Sequence, residues 1–466
     1  MRSQLHMGEQ GLWCGAQYNS NNGWIFNGTN GNLDNNNKYN TNGSRRLDYD
    51  ISDYINQSGF SEFSLEIFKA YVKCRKNKRN TLSQLEFEYD IMKRMNLTIS
   101  LWVMEYVPQR SIAFIIMVPR IREVIAANFA DRVAQTWFDM HLKPYLEEDM
   151  YHPDSYSCRK GKGGLRAVLQ LRDYIYEMTN GYVYDDLWII KRDICAFFMN
   201  IDTEILERDM IDFIQEHFGE DEQLRNRLMW LARILYRSLP QEHCIRKSHP
   251  LAWNQLDKRK SMFGRVIGLP IGNLPSQTGA NFTTSKLLWT LHDLMYKFVH
   301  YTDDTIAATR DKKKWKYDEK DVERMIRDDM HLEWHKNKRY CQHYSKGVEL
   351  LGCKIRFDRI LPSDRIAHNF IWKAKCAIRK AEESNAYMYK HKEDFMSVMN
   401  SYCGLLKWCN SYRLRAKVFD MLKKSPWAKI FDFHDNSKVT IKKSKTRRAH
   451  FIRINRMEKR KMRRAA

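Results

Sequence analysis

Hydrophobic and polar positions alternate between helical and strand-like spacings along this chain, which predicts a fold of mixed helix and sheet. From residue 48 to about residue 95 the spacing is helical, with Phe60, Phe63, Ile67 and Tyr71 recurring at intervals of three and four. This stripe predicts helices that pack on a hydrophobic core.

Later segments combine strands with helices. Residues 111–147 contain short apolar runs followed by a long helical pattern, which predicts a strand pair leading into a helix. Residues 265–277 contain two glycines and two prolines and precede a helix predicted for 278–294, with Ser276 as its N-cap. Helical periodicity also dominates residues 371–419.

The most informative pattern is a predicted β-hairpin that carries two adjacent acids, Asp303 and Asp304. Segment 295–301 has the aromatic and β-branched content of a strand, and segment 305–309 can form a second strand. Aspartate tolerates the backbone angles of tight turns, so a solvated turn is the ordinary interpretation of such a pair. Here an apolar strand precedes the acids, which predicts a buried hairpin whose mutually repelling carboxylates favour a divalent cation.

Phosphoryl transfer by two metal ions, held about 3.5–4 Å apart, requires a further carboxylate from another strand. Asp193 follows the strand-like segment 187–190 and precedes another apolar run, which predicts that it ends a buried strand. A lone aspartate there most often acts as a cap, but ahead of the acidic hairpin it is a candidate metal ligand. Phe198 either lies under the sugar of a bound nucleotide and excludes a 2′-hydroxyl, or is an ordinary core residue.

Charge and composition extend this interpretation to nucleic acid. The 466 residues include 79 Lys and Arg against 56 Asp and Glu, a formal charge of +23, which favours a nucleic-acid partner first and an anionic membrane surface second. The ten cysteines form no CxxC pair, so zinc spacing is absent and reduced thiols are expected. The longest apolar run, 112–118, is too short for a bilayer, and the N-terminal sequence lacks the apolar region of a secretory signal. We therefore expect a soluble protein of the cytoplasm.

Basic residues occur at two places suited to phosphate. Arg122 and Arg132 flank the join between the strand pair and the long helix, and an arginine fork can grip a triphosphate. Arg159, Lys160 and Lys162 lie among glycines just ahead of an amphipathic helix, where backbone amides also favour phosphate. The GxxxxGK[ST] pattern is absent, so the chemistry of P-loop ATPases is not supported.

In their order and spacing, these motifs resemble those of reverse transcriptases. The matching parts are Asp193 with Phe198, the loop 268–277 and the segment 301–304, Tyr-Thr-Asp-Asp. More narrowly, Ile-Gly at 271–272 followed by Ser-Gln at 276–277 is similar to reverse transcriptases of diversity-generating retroelements, whereas most relatives have glutamine before that glycine and end in Ser-Pro. The resemblance covers roughly residues 60–430.

The resemblance implies an α+β right-hand polymerase fold with a ferredoxin-like antiparallel palm sheet and a helical thumb. The expected parts are fingers at 49–185, palm at 186–360 and thumb at 361–435, between an Asn- and Gly-rich leader at 1–48 and a basic tail at 436–466.

The resemblance also implies roles for individual residues. Two Mg²⁺ ions would be held by Asp193, Ile194, Asp303 and Asp304. Lys338, with Lys336 as the alternative, would assist the departure of pyrophosphate. The incoming nucleotide would contact Arg122, Arg132, Phe198, Ile271, Gly272 and Gln277, with Ile271 linked to poor base selection opposite template adenine. Nucleic acid would contact Arg159, Lys160, Lys162, Leu351 and Gly352, the last two as the primer grip.

The two ends of the chain have unusual compositions. The asparagine-rich leader is either a flexible segment or a translated template repeat that overlaps the start of the gene, since it is similar to the end of a C-type-lectin-like variable protein. The tail from Lys438 is strongly basic with one acid, Glu458, which predicts a disordered arm that binds phosphate.

The expected function is therefore an RNA-directed DNA polymerase that makes adenine-mutagenic cDNA from a retroelement's template RNA. The implied partners are the template RNA with its cDNA, deoxynucleoside triphosphates and a small basic pentameric accessory protein. One alternative is a reverse transcriptase of another lineage, of group II intron or retron type, which Ile271 and Gln277 argue against. The other is a catalytically inactive RNA-binding protein that keeps the fold for its charge.

Overall fold

The computed structural model describes residue 49 and residues 52–76, 81–117, 120–357 and 359–442, together with two short strands near the N-terminus. The predictions for the leader, apart from those strands, and for tail residues 443–466 lie outside the described residues. No helix in the described ranges has the length and apolar character needed to cross a bilayer.

Helices dominate the described chain and follow the predicted order closely. Both helical and strand predictions for 111–147 are confirmed, as is the mixed α+β class. The α-helices are α1 Ser52–Ile55, α2 Phe60–Arg75, α3 Leu82–Tyr89, α4 Ile91–Trp102, α5 Phe129–Tyr145, α6 Gly164–Met178, α7 Phe197–Asn200, α8 Thr203–His217, α9 Glu222–Arg237, α10 Pro250–Asn254, α11 Leu274–Asp293, α12 Lys312–Met330, α13 Asp364–Glu383, α14 Asn385–Lys390, α15 Lys392–Leu406 and α16 Tyr412–Lys423.

The strands are short and form several small sheets. They are β1 His6–Met7, β2 Trp13–Cys14, β3 Ile112–Ile116, β4 Arg122–Ala126, β5 Trp188–Asp193, β6 Ile245–Arg246, β7 Lys297–Tyr301, β8 Asp304–Thr309, β9 Tyr340–His343, β10 Val348–Leu350, β11 Cys353–Arg356, β12 Arg359–Pro362, β13 Phe431–His434 and β14 Lys438–Ile441. The sheet orders are β1-β2, β4-β3-β6, β7-β8-β5-β9, β10-β11-β12 and β13-β14. In the second of these, β3 pairs antiparallel with β4 and parallel with β6.

The chain divides into two compact units. The first comprises the described residues within 1–163, 190–307 and 312–340, and the second comprises those within 164–189, 308–311 and 341–442. This division follows contacts rather than the five functional parts expected from the sequence, whose boundaries stay predictions.

The first unit is built around helix α11, which is buried over most of its length. Small residues on α11 let neighbouring helices approach closely: a Cβ placed on Gly279 would lie 2.8 Å from Cδ2 of Leu206 on α8. The predicted N-cap at Ser276 is wrong, because the helix begins at Leu274 and Ser276 is buried within it. Asn273 precedes the helix instead, and its Oδ1 accepts a hydrogen bond from the Ala127 amide at 3.0 Å.

The second unit has its own core between helices α13, α15 and α16 and the hairpin β13–β14. The rings of Phe395 and Trp427 stack with centroids 4.2 Å apart at its centre. The predicted disordered arm begins at Lys438, which is wrong for residues 438–441, because they pair with β13 and bury Val439 completely. The β-branched side chains at 439–441 provide the strand propensity that the surrounding lysines obscured in the sequence.

Candidate active site

The acidic hairpin forms as the strands β7 and β8, joined by Thr302 and Asp303. Thr302 has a φ of 62°, a left-handed conformation that is strained for a β-branched residue. The sequence placed both acids in the turn, but the structure places Asp303 in the turn and Asp304 at the first position of β8. The turn therefore holds the two carboxylates on different parts of the hairpin.

Backbone hydrogen bonds fix Asp193, the last residue of β5, beside this hairpin. The amide of Ile194 donates to the Asp303 carbonyl at 3.0 Å, and the amide of His335 donates to the Asp193 carbonyl at 2.7 Å. Burial, and then the charges of Asp304 and Asp193, raise the pKa of Asp303 to about 6. The structure thus brings together the three carboxylates that the sequence singled out.

Two lysines form ion pairs with Asp193 and Asp304. The Lys338 ammonium donates to both oxygens of Asp193, at 2.9 and 3.1 Å. Lys191 Nζ lies 3.2 Å from Oδ1 of Asp304. Sequence reasoning proposed Lys338 but missed Lys191, although its position two residues before Asp193 puts both side chains on one face of the strand.

The donors at this site fit a divalent cation in chemistry. Hard carboxylate oxygens are the ligands that Mg²⁺ prefers, and burial, followed by the charges of Asp304 and Asp193, raises the pKa of Asp303. Within the part of the chain that the structure describes, no three His, Cys, Asp or Glu side chains are arranged to ligate one metal ion. The structure therefore shows the donors, whereas their role as metal ligands stays a prediction.

Phe198 and Ile271 pack against the same small hydrophobic cluster, which we call the gate cluster. Its buried members are Ala113, Ile125, Met199 and Met262. Phe198 lies on the short helix α7, whose start is set by the left-handed residue Ala196, and its ring is only partly buried. The two residues predicted to select the sugar and the base thus pack on one hydrophobic cluster.

The loop 268–273 is clamped between α7 and β4. The Leu269 amide donates to the Phe198 carbonyl at 2.7 Å, and the Ile125 amide donates to the Ile271 carbonyl at 2.9 Å. A Cβ on Gly268 would lie 2.7 Å from the Met199 carbonyl oxygen. Likewise, a Cβ on Gly272 would lie 2.8 Å from Cγ1 of Val124 on β4. Both glycines also have positive φ, at +99° and +123°. A side chain at either position would therefore meet both a steric clash and an unfavourable backbone conformation.

The other residues predicted to contact the nucleotide are not joined to the carboxylates by any described contact. Arg122 is exposed at the start of β4, and Gln277 is exposed on the first turns of α11. Arg132 lies on α5, and its buried Nε atom has no hydrogen-bond partner among the described residues. Their predicted roles remain untested by this geometry.

The three basic residues ahead of α6 have different surroundings. Arg159 is tied into the protein, since its Nε donates to Glu147 at 2.7 Å and its Nη1 donates to the His152 carbonyl at 2.6 Å. Lys162 donates to the Pro153 carbonyl at 2.6 Å, whereas Lys160 is exposed. Arg159 and Lys162 therefore shape the loop, and Lys160 is the one of the three that solvent reaches freely.

Leu351 and Gly352, predicted as the primer grip, lie in the second unit and form the turn between β10 and β11. Both have positive φ, 50° and 84°, as a two-residue type I′ turn requires. Leu351 packs on the first residue of α6, where a Cβ added to Gly164 would lie 2.9 Å from its Cδ1 atom. The tight turn fixes the conformation of the two residues.

Comparisons with known proteins find similarity only among solved structures. No protein-family model matches the chain, and no curated protein matches it in sequence. Solved structures similar to it include apo telomerase from Candida tropicalis, at 11% identity and a TM-score of 0.40, covering 70% of this chain and 62% of that chain. Another is telomerase from Candida albicans in complex with the TWJ fragment of telomeric RNA, at 10% identity and a TM-score of 0.39, covering 68% and 62%. The chain spans about three fifths of the length of these telomerases, and at such TM-scores the likeness carries no argument about activity.

Proposed function

We propose that the chain is an RNA-directed DNA polymerase with a right-hand arrangement of fingers, palm and thumb. The observation that carries this proposal is that Asp193, Asp303 and Asp304 come together where strands end or begin. Lys338 pairs with Asp193, and Lys191 pairs with Asp304. Carboxylates from two separate strands are what two-metal nucleotidyl transfer requires. The motif order in the sequence supports a reverse transcriptase among such enzymes.

In the proposed mechanism the three aspartates would hold two Mg²⁺ ions, which when bound activate the primer 3′-hydroxyl and stabilise the leaving pyrophosphate. The Lys338 ammonium, half exposed beside Asp193, supplies a proton to the pyrophosphate oxygen as it departs. Phe198 presents a partly buried ring that excludes a 2′-hydroxyl, and Ile271 packs against the same gate cluster. Selection of the sugar and selection of the base therefore depend on one packed unit.

We further propose that the template is the RNA of a diversity-generating retroelement and that the cDNA carries errors opposite adenine. Ile271 and Gln277 support this lineage, because most related enzymes have other residues there. The proposal includes deoxynucleoside triphosphates as substrates, a small basic pentameric accessory protein as partner and the bacterial cytoplasm as location.

The test is primer extension on an adenine-rich RNA template with Mg²⁺ and all four deoxynucleotides, followed by sequencing of the product. The Asp303→Asn variant should make no DNA, and the control Asp328→Asn, which changes an exposed acid on α12, should match the unmodified protein. Both variants should bind RNA equally, because binding depends on basic surfaces.

Each outcome of this test assigns the protein differently. Errors concentrated opposite adenine support the whole proposal. Accurate DNA keeps the polymerase but places it in another lineage of reverse transcriptases. Absence of DNA, even with retroelement RNA and the accessory protein added, contradicts the polymerase and favours an RNA-binding protein.

A further inference from the structure

A cavity of about 620 Å³ lies in the first unit, away from the three carboxylates, and is lined by lysines. Lys73 comes from the end of α2, Lys143 from the end of α5, and Lys160 from the loop ahead of α6. None of the three has a hydrogen-bonding or ion-pair partner within the described ranges. Three unpaired ammonium groups from three separate elements therefore line one cavity.

The acid in the cavity wall does not cancel this charge. Glu147 lines the cavity, but its Oε2 accepts the Arg159 Nε at 2.7 Å, so its charge is already balanced. The same arginine also binds the carbonyls of His152 and Ser155, which fixes the loop that carries Lys160. The cavity is thus a region of net positive charge.

The shape and lining indicate what kind of group the cavity accepts. A Cβ on Gly161 would meet no atom within 4 Å, so the loop backbone lies open to a ligand. The remaining lining residues, Met140 and Pro144, provide neither an aromatic ring for stacking nor a side-chain hydrogen bond to read a base. Lysines act as point charges without the planar fork of arginine, which suits phosphates approached from variable directions.

The cavity is connected to the candidate active site through the loop backbone. The Tyr156 amide donates to the His300 carbonyl at 2.9 Å, and the His300 amide donates to the Asp154 carbonyl at 2.9 Å. The loop that supplies Lys160 is therefore attached to β7, the strand that leads into the acidic hairpin. The position of this loop is thus fixed relative to the strand that leads into the acids.

We propose that Lys73, Lys143 and Lys160 form a binding site for the backbone phosphates of RNA, independent of base sequence and separate from the catalytic carboxylates. The choice of RNA rather than DNA rests on the proposed function. The same phosphate chemistry would accept a free polyphosphate, so the test includes both sources.

The test measures binding of a labelled single-stranded RNA of about 30 nucleotides by fluorescence anisotropy, at salt concentrations from about 0.05 to 0.4 M. Each phosphate contact contributes about 0.7 to the slope of log K against log salt for a single strand. The triple variant Lys73→Gln, Lys143→Gln, Lys160→Gln should therefore lower the slope by about 2, which is roughly a hundredfold loss of affinity near 0.1 M salt. The charge-keeping variant with arginine at all three positions should retain the slope, and it also shows that the loop tolerates substitution.

A matched control removes three exposed lysines outside the cavity, namely Lys258, Lys316 and Lys320. It should leave the slope near that of the unmodified protein. An equal loss in both triple variants would overturn the site, because net charge alone would then explain binding. Inorganic tripolyphosphate that binds through the three lysines while RNA affinity stays unchanged would likewise overturn it and assign the cavity to a free phosphate ligand.

This readout needs no catalysis, so the two proposals fail separately. If neither the unmodified protein nor any variant makes DNA, the polymerase fails while the lysine site is still decided by the salt slopes. If DNA is made but the glutamine triple variant and the control triple variant have equal salt slopes, the lysine site fails and the polymerase proposal stands.

Discussion

Substituting Gly268 by alanine tests whether the loop 268–273 is held tightly against α7, the helix that carries Phe198. The added Cβ would lie 2.7 Å from the Met199 carbonyl oxygen and 3.0 Å from the Phe198 carbonyl oxygen. Both are backbone atoms of α7, so relief requires the loop or the helix to move. The residue would also have to keep a φ of +99°, which is unfavourable for any side chain.

Two other glycines separate these effects. Gly264 has a φ of +78° with open space around it, so Gly264→Ala introduces only backbone strain, which we expect to cost about 1 kcal/mol. Gly219 has neither a positive φ nor a neighbour within 4 Å, so Gly219→Ala should be within about 0.5 kcal/mol of the unmodified protein. Gly268→Ala adds overpacking against backbone, which costs about 1–3 kcal/mol more, for a total of roughly 2–4 kcal/mol.

The assay is urea unfolding followed by tryptophan fluorescence, with midpoints compared at a common slope. The expected order of stability is Gly219→Ala, then Gly264→Ala, then Gly268→Ala. Equal destabilisation by Gly264→Ala and Gly268→Ala would refute the reasoning, since it would show that α7 does not confine the loop.

Four further predictions address the gate, the carboxylates and the core. Phe198→Ala should raise incorporation of ribonucleotides relative to deoxynucleotides, measured by primer extension with each, because the ring no longer excludes the 2′-hydroxyl. Ile271→Gln should lower errors opposite adenine, and an unchanged error spectrum would contradict the assigned role. Lys191→Met leaves the partly buried Asp304 without its cation, so the protein should lose about 1–2 kcal/mol of stability in chelator and recover part of it with added Mg²⁺, as thermal unfolding would show. Burial lowers the pKa of His300 to about 4, so the unfolded chain gains a proton before the folded one as pH falls from 6.5 to 4, and up to about 3 kcal/mol of stability is lost in that window. His300→Gln should lack that part of the pH dependence when unfolding free energies are compared across the window.

The sequence predicted the elements that carry the candidate site, because those elements have strong local signals. The strand before Asp303 is aromatic and β-branched, and β7 forms there. The apolar segment before Asp193 likewise forms β5. The proximity of the three acids was predicted from the order of the motifs. Hydrophobic periodicity could not predict it, because periodicity does not show which strands pair.

Features that depend on non-local packing were not predicted. The spacing of Lys191 and Asp193 places both on one face of β5, but its partner Asp304 is identified only when β8 is placed beside β5. The contact of Arg159 with nucleic acid stays a prediction, whereas its bonds to Glu147 and to backbone carbonyls are ones that no spacing rule reveals. The N-cap was assigned to Ser276 because the sequence does not show that the Asn273 side chain accepts a hydrogen bond from the Ala127 amide, just after β4.

Backbone hydrogen bonds join the segments that carry the candidate site. The segments that bear Asp193 and Asp303 are joined by the Ile194 amide and the Asp303 carbonyl, and the segment that bears Lys338 is joined to them by the His335 amide. Replacing a carboxylate by an amide of the same shape removes charge but leaves these bonds intact. Because the carboxylates repel one another, the change at Asp303 should also relieve repulsion and leave the fold at least as stable. A loss of DNA synthesis in Asp303→Asn, together with unchanged or raised stability, would therefore locate the defect in chemistry and not in folding.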